Sequence, residues 1–354
     1  MLHRYPDFYR QFHCLADQCP DSCCADWAVV VDEASARRYR HLPGILGDKL
    51  RQVMETDEDG DLIFRLEEGR CPFWDTDGLC RIQRELGEEG LCETCHRFPR
   101  LTQDYGSFIE HGLTLACPEA ARLILCHSGP RQVMAVTDDL PEEVTGLDEE
   151  VLEELQAARQ VLLEELWAGN CRETDALAVC LMHIQWFQDC FDGFAPGAWN
   201  RELALTQADS VPSRGELPWR LIQLHRELEI LTPEWGELLQ EAAQWDTDLP
   251  KLPLTGMLRN LAEEYLYRYW LQGVDDGDCV SRMILLAVNA LVVRYLAQVK
   301  LAKIGTLTTH DLLRLFQLYA KEVEHDEVNR ERLLELLEGE YGLPELAAAC
   351  RESR

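Results

Sequence analysis

Basic residues are scarce in this chain. Across 354 residues, 34 lysines and arginines face 64 aspartates and glutamates, a formal net charge of −30. A surface of that sign repels phosphate backbones, which argues against nucleic-acid binding. The acidity is uneven. Residues 1–130 carry 23 acids against 14 bases, a net of −9, and residues 131–354 carry 41 against 20, a net of −21. Such a surface suits a basic partner such as a lysine-rich protein, and serves equally to keep helices soluble. An export signal is also lacking: Met1 to Arg10 has no apolar core and no small-residue cleavage site, so a cytoplasmic protein is expected. The most apolar run, Met283 to Ala302, is interrupted by Asn289, Arg294 and Lys300 and reads as a core helix, not a membrane span. There is no internal repeat, no low-complexity tract and no glycine-rich turn of the kind that cradles a dinucleotide.

Cysteine, by contrast, is plentiful and clustered. Ten of the 15 lie in the first 126 residues: Cys14, Cys19, Cys23, Cys24, Cys71, Cys80, Cys92, Cys95, Cys117 and Cys126. Core packing does not demand such grouping, because a buried free cysteine acts as one more small apolar residue. In a reducing compartment, clustered thiols point to metal binding or redox chemistry more than to disulfides. Cys19, Cys71 and Cys117 each precede proline, as in ferredoxin-type cluster loops. Zinc and iron–sulfur both fit thiolates. Only Cys92-x2-Cys95, with His96 beside it, has the compact spacing of a zinc finger. The broad spacing of the rest favours a cluster assembled from several loops. Arg70, Arg81, Arg97, Arg100 and Arg122 lie near these cysteines in sequence and are expected to offset the charge of an anionic centre. His13, His96 and His127 each adjoin a cysteine and are alternative ligands. The Cys-x3-Cys-x2-Cys signature of radical S-adenosylmethionine enzymes is absent: after Cys19 and Cys23 the third position is Asp26.

The expected fold is mainly α, in two domains. Residues 1–130 form a loop-rich cysteine-cluster domain with little β structure, broken by proline and glycine and in need of a metal staple. A helix is predicted over Glu33–Arg40 behind an Asp32 cap, and a short strand over Asp61–Leu66. Gly78 to Ile82 is expected to pair with that strand or with Phe108 and Ile109. Ser128-Gly129-Pro130 and Asp138–Asp148 read as a boundary. Residues 131–354 then form an acidic domain of about eight helices: Val151–Trp167, Ala176–Phe191, Trp219–Leu231, Glu234–Trp245, Met257–Leu271, Ser281–Ala302, Thr309–Val323 and Asp326–Leu337. Cys171, Cys180, Cys190, Cys279 and Cys350 fall on its apolar faces.

The chain resembles the flagellin lysine N-methylase family. The residues that carry the likeness are Cys14-x4-Cys19-Pro-Asp-Ser-Cys23-Cys24 with Trp27, Cys71-Pro-Phe-Trp followed by Gly78-Leu-Cys80-Arg-Ile, Thr94-Cys95-His-Arg-Phe-Pro99-Arg100, and Leu115-Ala-Cys117-Pro-Glu119-Ala-Ala-Arg122-Leu. Asn260 to Trp270 and Tyr319-Ala-Lys-Glu-Val-Glu-His325 extend it into the helical part. The front part is also similar to the broader group of zinc- or iron-chelating cysteine-cluster proteins. The resemblance implies eight metal-binding cysteines: Cys14, Cys19, Cys23, Cys24, Cys71, Cys80, Cys95 and Cys117, with Cys92 and Cys126 outside the pattern. It further implies a [4Fe–4S] cluster, with zinc as the alternative metal, and methyl transfer from S-adenosylmethionine to a lysine of a protein substrate, flagellin being the family's named one.

Methylating a lysine requires its neutral amine, which at an ordinary pKa is rare near pH 7, so a site must desolvate the amine or take its proton. Tyr319, Glu322, Glu324 and His325 lie together in a family-like segment. Glu322 and His325, three apart, are expected on one helical face, and Glu322, His325 and Tyr319 are the candidate catalytic set. The competing reading is a polar network at a helix end. Tyr265, Tyr267, Tyr269 and Trp270 make an aromatic-rich helix beside Glu264 and Arg268. Aromatic faces hold sulfonium or ammonium ions, but alternate helical positions diverge, which leaves Tyr265 and Tyr269 as the cofactor-binding candidates and core packing as the competing reading. Asn260 and Asp278 are weaker candidates. Two other functions fit the same residues: a non-catalytic cysteine module that binds a partner protein, and a redox or metal sensor.

Overall fold

The structure is a computed structural model that describes residues 1–25, 27–58, 60–139, 145–169, 172–194, 196–211, 215–252 and 256–352. Cys171 and Asp26, and part of the Asp138–Asp148 segment, lie outside them. The strands are β1 (Leu2–Pro6), β2 (Val29–Val30), β3 (Met54–Thr56), β4 (Leu62–Phe64), β5 (Arg100–Asp104), β6 (Phe108–Leu113) and β7 (Val133–Thr137). The chain divides into two compact units. One comprises residues 12–101 with 117–119, and the other comprises 1–11, 102–116 and 120–354.

The 12–101 unit holds a three-stranded antiparallel sheet of order β2-β4-β3 and four short helices, Glu33–His41, Gly44–Val53, Arg81–Leu86 and Glu93–Arg97. The predicted Glu33 helix forms because Asp32 accepts a hydrogen bond from Ser35 N, as an N-cap should. The other Asp32 oxygen accepts from Glu93 N at 2.9 Å, so one carboxylate caps two helices. The predicted strand is β4. Gly78–Ile82 does not join it: Arg81 and Ile82 open a helix, and Phe108 and Ile109 pair with Leu2 and His3 of β1. Tyr39, Leu50, Val53, Phe64 and Phe73 form the core together with Cys71 and Cys92.

The larger unit contains a mixed sheet of order β5-β6-β1-β7, with β1 parallel to β6 and antiparallel to β7. β7 lies between the two segments read from sequence as a boundary, Ser128–Pro130 and Asp138–Asp148, and the first strand of the chain supplies it with a partner. Each of the eight expected segments contains a helix, although that expected over Trp219–Leu231 ends at His225. Arg201–Ser210 and Leu343–Glu352 add to them, so the count of eight was low. The Val280–Ile304 helix is long and apolar enough to cross a membrane, and is mostly buried inside the protein. Arg294 within it donates to the carbonyls of Cys350 at 3.0 Å and Ala349 at 3.2 Å, satisfying the last turn of Leu343–Glu352.

Candidate functional site

Tyr319 ends the Thr309–Tyr319 helix, and the next five residues, Ala320–Glu324, form a π turn closed by His325 N donating to the Ala320 carbonyl at 3.0 Å. The wider turn shifts the angular phase of the side chains that follow, and such turns recur at functional sites. Glu322 and His325 therefore do not share a face, contrary to the α-helical spacing. The Glu322 carboxylate accepts from Leu231 N at 2.9 Å, Thr232 N at 2.8 Å and Thr232 Oγ1 at 2.5 Å. It anchors the cap of the Pro233–Ala243 helix, a structural task. His325 instead meets Thr114 Oγ1 and lies 3.5 Å from Arg268 Nη2. Burial, then the charges of Arg268 and Arg330, lower its pKa to about 3, so it is a neutral imidazole at pH 7.

The residue at the centre is Glu324, which is only 3% exposed. Its Oε1 accepts from Tyr265 Oη at 2.8 Å and Asn289 Nδ2 at 3.0 Å. Its Oε2 accepts from Arg268 Nη1 at 2.7 Å and Tyr269 Oη at 3.3 Å. Tyr265 and Tyr269, the cofactor-binding candidates, are four residues apart, so they share a face and reach the same carboxylate. Tyr267 points away and packs under the guanidinium groups of Arg131 and Arg159. Desolvation raises the Glu324 pKa even with Arg268 beside it. Two buried polar atoms near this carboxylate have no protein partner: Asn289 Oδ1 and the Tyr319 hydroxyl. The Tyr319 ring rests against His225 and Trp235, and burial, then the charges of Glu324 and Tyr269, raise its pKa. A buried carboxylate, three phenols and two unpaired polar atoms form a centre suited to holding a cation and accepting a proton.

Glu324 and Arg268 were named from sequence but not as a pair, and Asn289 served only to rule out a membrane span. The available signals were the i, i+4 tyrosines with Arg268 between them and a lone amide in an apolar run. Asn260 donates to the carbonyls of Leu125 and His127, both at 2.9 Å, and Asp278 accepts from Ser281 N at 2.9 Å at the head of the Val280–Ile304 helix. Both are structural.

The 12–101 unit contains all eight cysteines expected to bind metal, and Cys92 as well. All are free thiols. Cys71 N donates to the Cys24 carbonyl at 2.7 Å, and the two thiols are hydrogen-bonded. The bond to Cys23 lowers the Cys24 pKa, but the bond to Cys71 and burial outweigh it and push it up to about 12. The same bond from Cys24 lowers Cys71. Cys92 and Cys95 repeat the arrangement, Cys95 raised and Cys92 lowered by their mutual bond. Cys23 and Cys80 are within electrostatic reach of these pairs, and Cys14 and Cys23 are within reach of Cys19. Cys117 is buried in the same unit. Cys92, which lies outside the family pattern, sits among them, and Cys126 belongs to the other unit. Among the described residues, no three His, Cys, Asp or Glu side chains are spaced to hold a single metal ion. Four of the five expected cations have other partners: Arg81 pairs with Glu85, Arg97 with Glu93, and Arg70 and Arg100 stack on Trp74 and Phe12.

Residues 185–350 match the FliB lysine N-methylase C-terminal domain, a segment that includes Tyr265, Arg268, Tyr269, Asn289, Tyr319, Glu324 and His325. The flagellar biosynthetic protein FliU of Salmonella muenchen is 32% identical over 126 residues, which cover 34% of this chain and 75% of that protein. Lysine-N-methylases of Salmonella typhimurium and Salmonella choleraesuis are also 32% identical over 126 residues, covering 34% of this chain and 31% of each. The matched segment thus spans about a third of those two relatives. No solved structure matches the chain.

Proposed function

The chain belongs to the flagellin lysine N-methylase family, and from that premise we propose that it transfers a methyl group from S-adenosylmethionine to a lysine of a protein substrate in the cytoplasm, flagellin being the first to test. The observation that carries the reading is the Glu324 centre, which lies within the matched domain. A lysine entering it as an ammonium ion meets a buried carboxylate of raised basicity. Proton transfer to Glu324 leaves the neutral amine. The nitrogen lone pair attacks the sulfonium methyl carbon: the N–C bond forms, the C–S bond breaks, and its electrons stay on sulfur as S-adenosylhomocysteine leaves. Tyr265 and Tyr269 hold the carboxylate in place and present ring faces to the cationic reactants. Asn289 Oδ1 and the Tyr319 hydroxyl supply the hydrogen-bonding capacity that an incoming N–H group needs. Arg268 keeps the carboxylate from becoming permanently protonated.

The thiols fit a soft metal centre by donor type: unoxidised sulfurs, of which Cys24, Cys71, Cys80, Cys92 and Cys95 come from separate loops to one core. Four of the eight cysteines Cys14, Cys19, Cys23, Cys24, Cys71, Cys80, Cys95 and Cys117 would hold a [4Fe–4S] cluster, the other four sufficing for a second four-coordinate site, with zinc as the second choice. A polynuclear cluster fits the spread of these thiols better than one ion does, because bridging sulfides set its ligands apart. When bound, the cluster would staple a unit of short elements. The test is mass spectrometry of purified flagellin incubated with the metal-loaded protein and S-adenosylmethionine. A methyl mass gain on lysine is expected, and its absence sinks the reading.

A further inference from the structure

We propose that the open edge of β7 is a docking strand for an extended, lysine-bearing segment of the protein substrate. This rests on reading the chain as a protein-lysine methyltransferase. β7 is the last strand in the order β5-β6-β1-β7, and its sequence Val-Met-Ala-Val-Thr has no charge, proline or glycine. Edge strands are normally blunted by such residues, because bare backbone groups invite another strand. Here Val133 and Val136 are 43% and 42% exposed.

The hydrogen-bond phase says which groups are on offer. Asp138 N donates to the Met1 carbonyl at 3.1 Å and Asp7 N to the Gln132 carbonyl at 2.8 Å. With the observed register, Met134 and Val136 therefore bond to β1. The N–H and C=O groups of Val133, Ala135 and Thr137 point the other way, off the sheet. Among the described residues, no strand pairs with them.

Charge and position select the occupant. Exposed Asp139 follows β7, in a chain of net charge −30, so a basic segment is favoured, while Asp138 before it is already paired with the Met1 ammonium and His3. The start of β7 leads to the reaction centre. Arg131, two residues before it, donates to Glu264 at 2.7 Å, and the next residue, Tyr265, donates to Glu324 at 2.8 Å. At the same end of the sheet Thr114, just past β6, contacts His325. A strand added beside β7 thus runs from an acidic end toward Glu324. Recognition through the main chain gives affinity with little demand on sequence.

The probe is a fluorescein-labelled peptide of alternating lysine and threonine, titrated into the full protein and followed by anisotropy and amide hydrogen exchange. Binding is expected to slow exchange at Val133, Ala135 and Thr137. Ala135→Pro removes an outward N–H without touching the ladder to β1 and should weaken binding by about tenfold. Because that variant can disturb the strand, V133K/V136K provides a second test: it leaves the backbone unchanged, places two positive charges on the edge and should weaken binding similarly with Tm unchanged. No binding, binding without slowed exchange at these amides, or full affinity in both variants overturns the proposal. Peptide docking without methyl transfer to flagellin retires the methyltransferase reading alone. Methyl transfer with KM unchanged in both variants retires the docking strand alone.

Discussion

In the 12–101 unit, Cys71 and Cys92 are buried to the depth of Phe64 and Ile82, and Cys24, Cys80 and Cys95 pack against the same core. In the helical unit the same depth is reached by Trp235, Trp270, Tyr265 and Tyr319, while Cys180, Cys279 and Cys350 are scattered as ordinary small core residues. Burial raises the pKa of those three to about 12, 12 and 11, which keeps them as inert thiols. In the 12–101 unit, mutual hydrogen bonds split the cysteines into raised and lowered partners. The difference is one of means: apolar area can hold one unit, whereas the other concentrates donors that repel one another as thiolates unless something cationic lies between them.

The largest expected effect tests that contrast directly. On the proposed metal staple, replacing Cys24 and Cys71 with serine, or treating the metal-loaded protein with a chelator, should unfold residues 12–101 alone. The cost is on the order of 10 kcal/mol where a unit depends on its metal. Hydrogen exchange would show protection lost there and kept in Val280–Ile304; equal protection in both would make the sulfurs mere packing.

Next is pH, which acts on the helical unit. Burial lowers the pKa of His225 to about 4, and burial with Arg268 and Arg330 lowers that of His325 to about 3. Unfolded imidazoles titrate near 6.5, so below that pH only the unfolded chain takes up these protons. The stabilisation is therefore present above 6.5 and lost as pH falls toward the folded values, by about 2 kcal/mol per histidine between pH 7 and 5. Urea unfolding at the two pH values measures it, and a flat profile would contradict the buried, neutral state of these rings.

Smaller in free energy, but decisive for function, is Glu324→Gln. The amide keeps the shape and loses the base, so methyl transfer should fall about 100-fold while the helical unit retains its circular dichroism. The smallest effect separates the two glutamates of the π turn. Glu322→Gln should cost about 2 kcal/mol through the weakened cap at Thr232 and leave the rate per folded molecule intact. A rate loss matching that of Glu324→Gln would return Glu322 to the catalytic set.

Local features were legible in the sequence. The Asp32 cap and the Glu33 helix depend on residues three apart, and the tyrosine spacing on Met257–Arg268 is local in the same sense. Features that depend on distant partners were not. β7 needs β1, which lies over 100 residues earlier, and sits between two segments that composition marks as a boundary. The Gly78–Ile82 segment joins neither expected strand: Cys80 bridges to nearby Trp74 and then caps the Arg81–Leu86 helix. The exchange of roles between Glu322 and Glu324 follows from one extra residue in a helical turn, which residue type and spacing do not report.

Composition and spacing alone established a helical, acidic chain with its thiols gathered at the front, because charge, periodicity and cysteine grouping are properties of neighbouring residues. Tertiary structure alone decided which glutamate faces Tyr265, Tyr269 and Asn289, and which thiols pair. Those facts rest on the phase of a π turn and on hydrogen bonds between loops far apart in the chain.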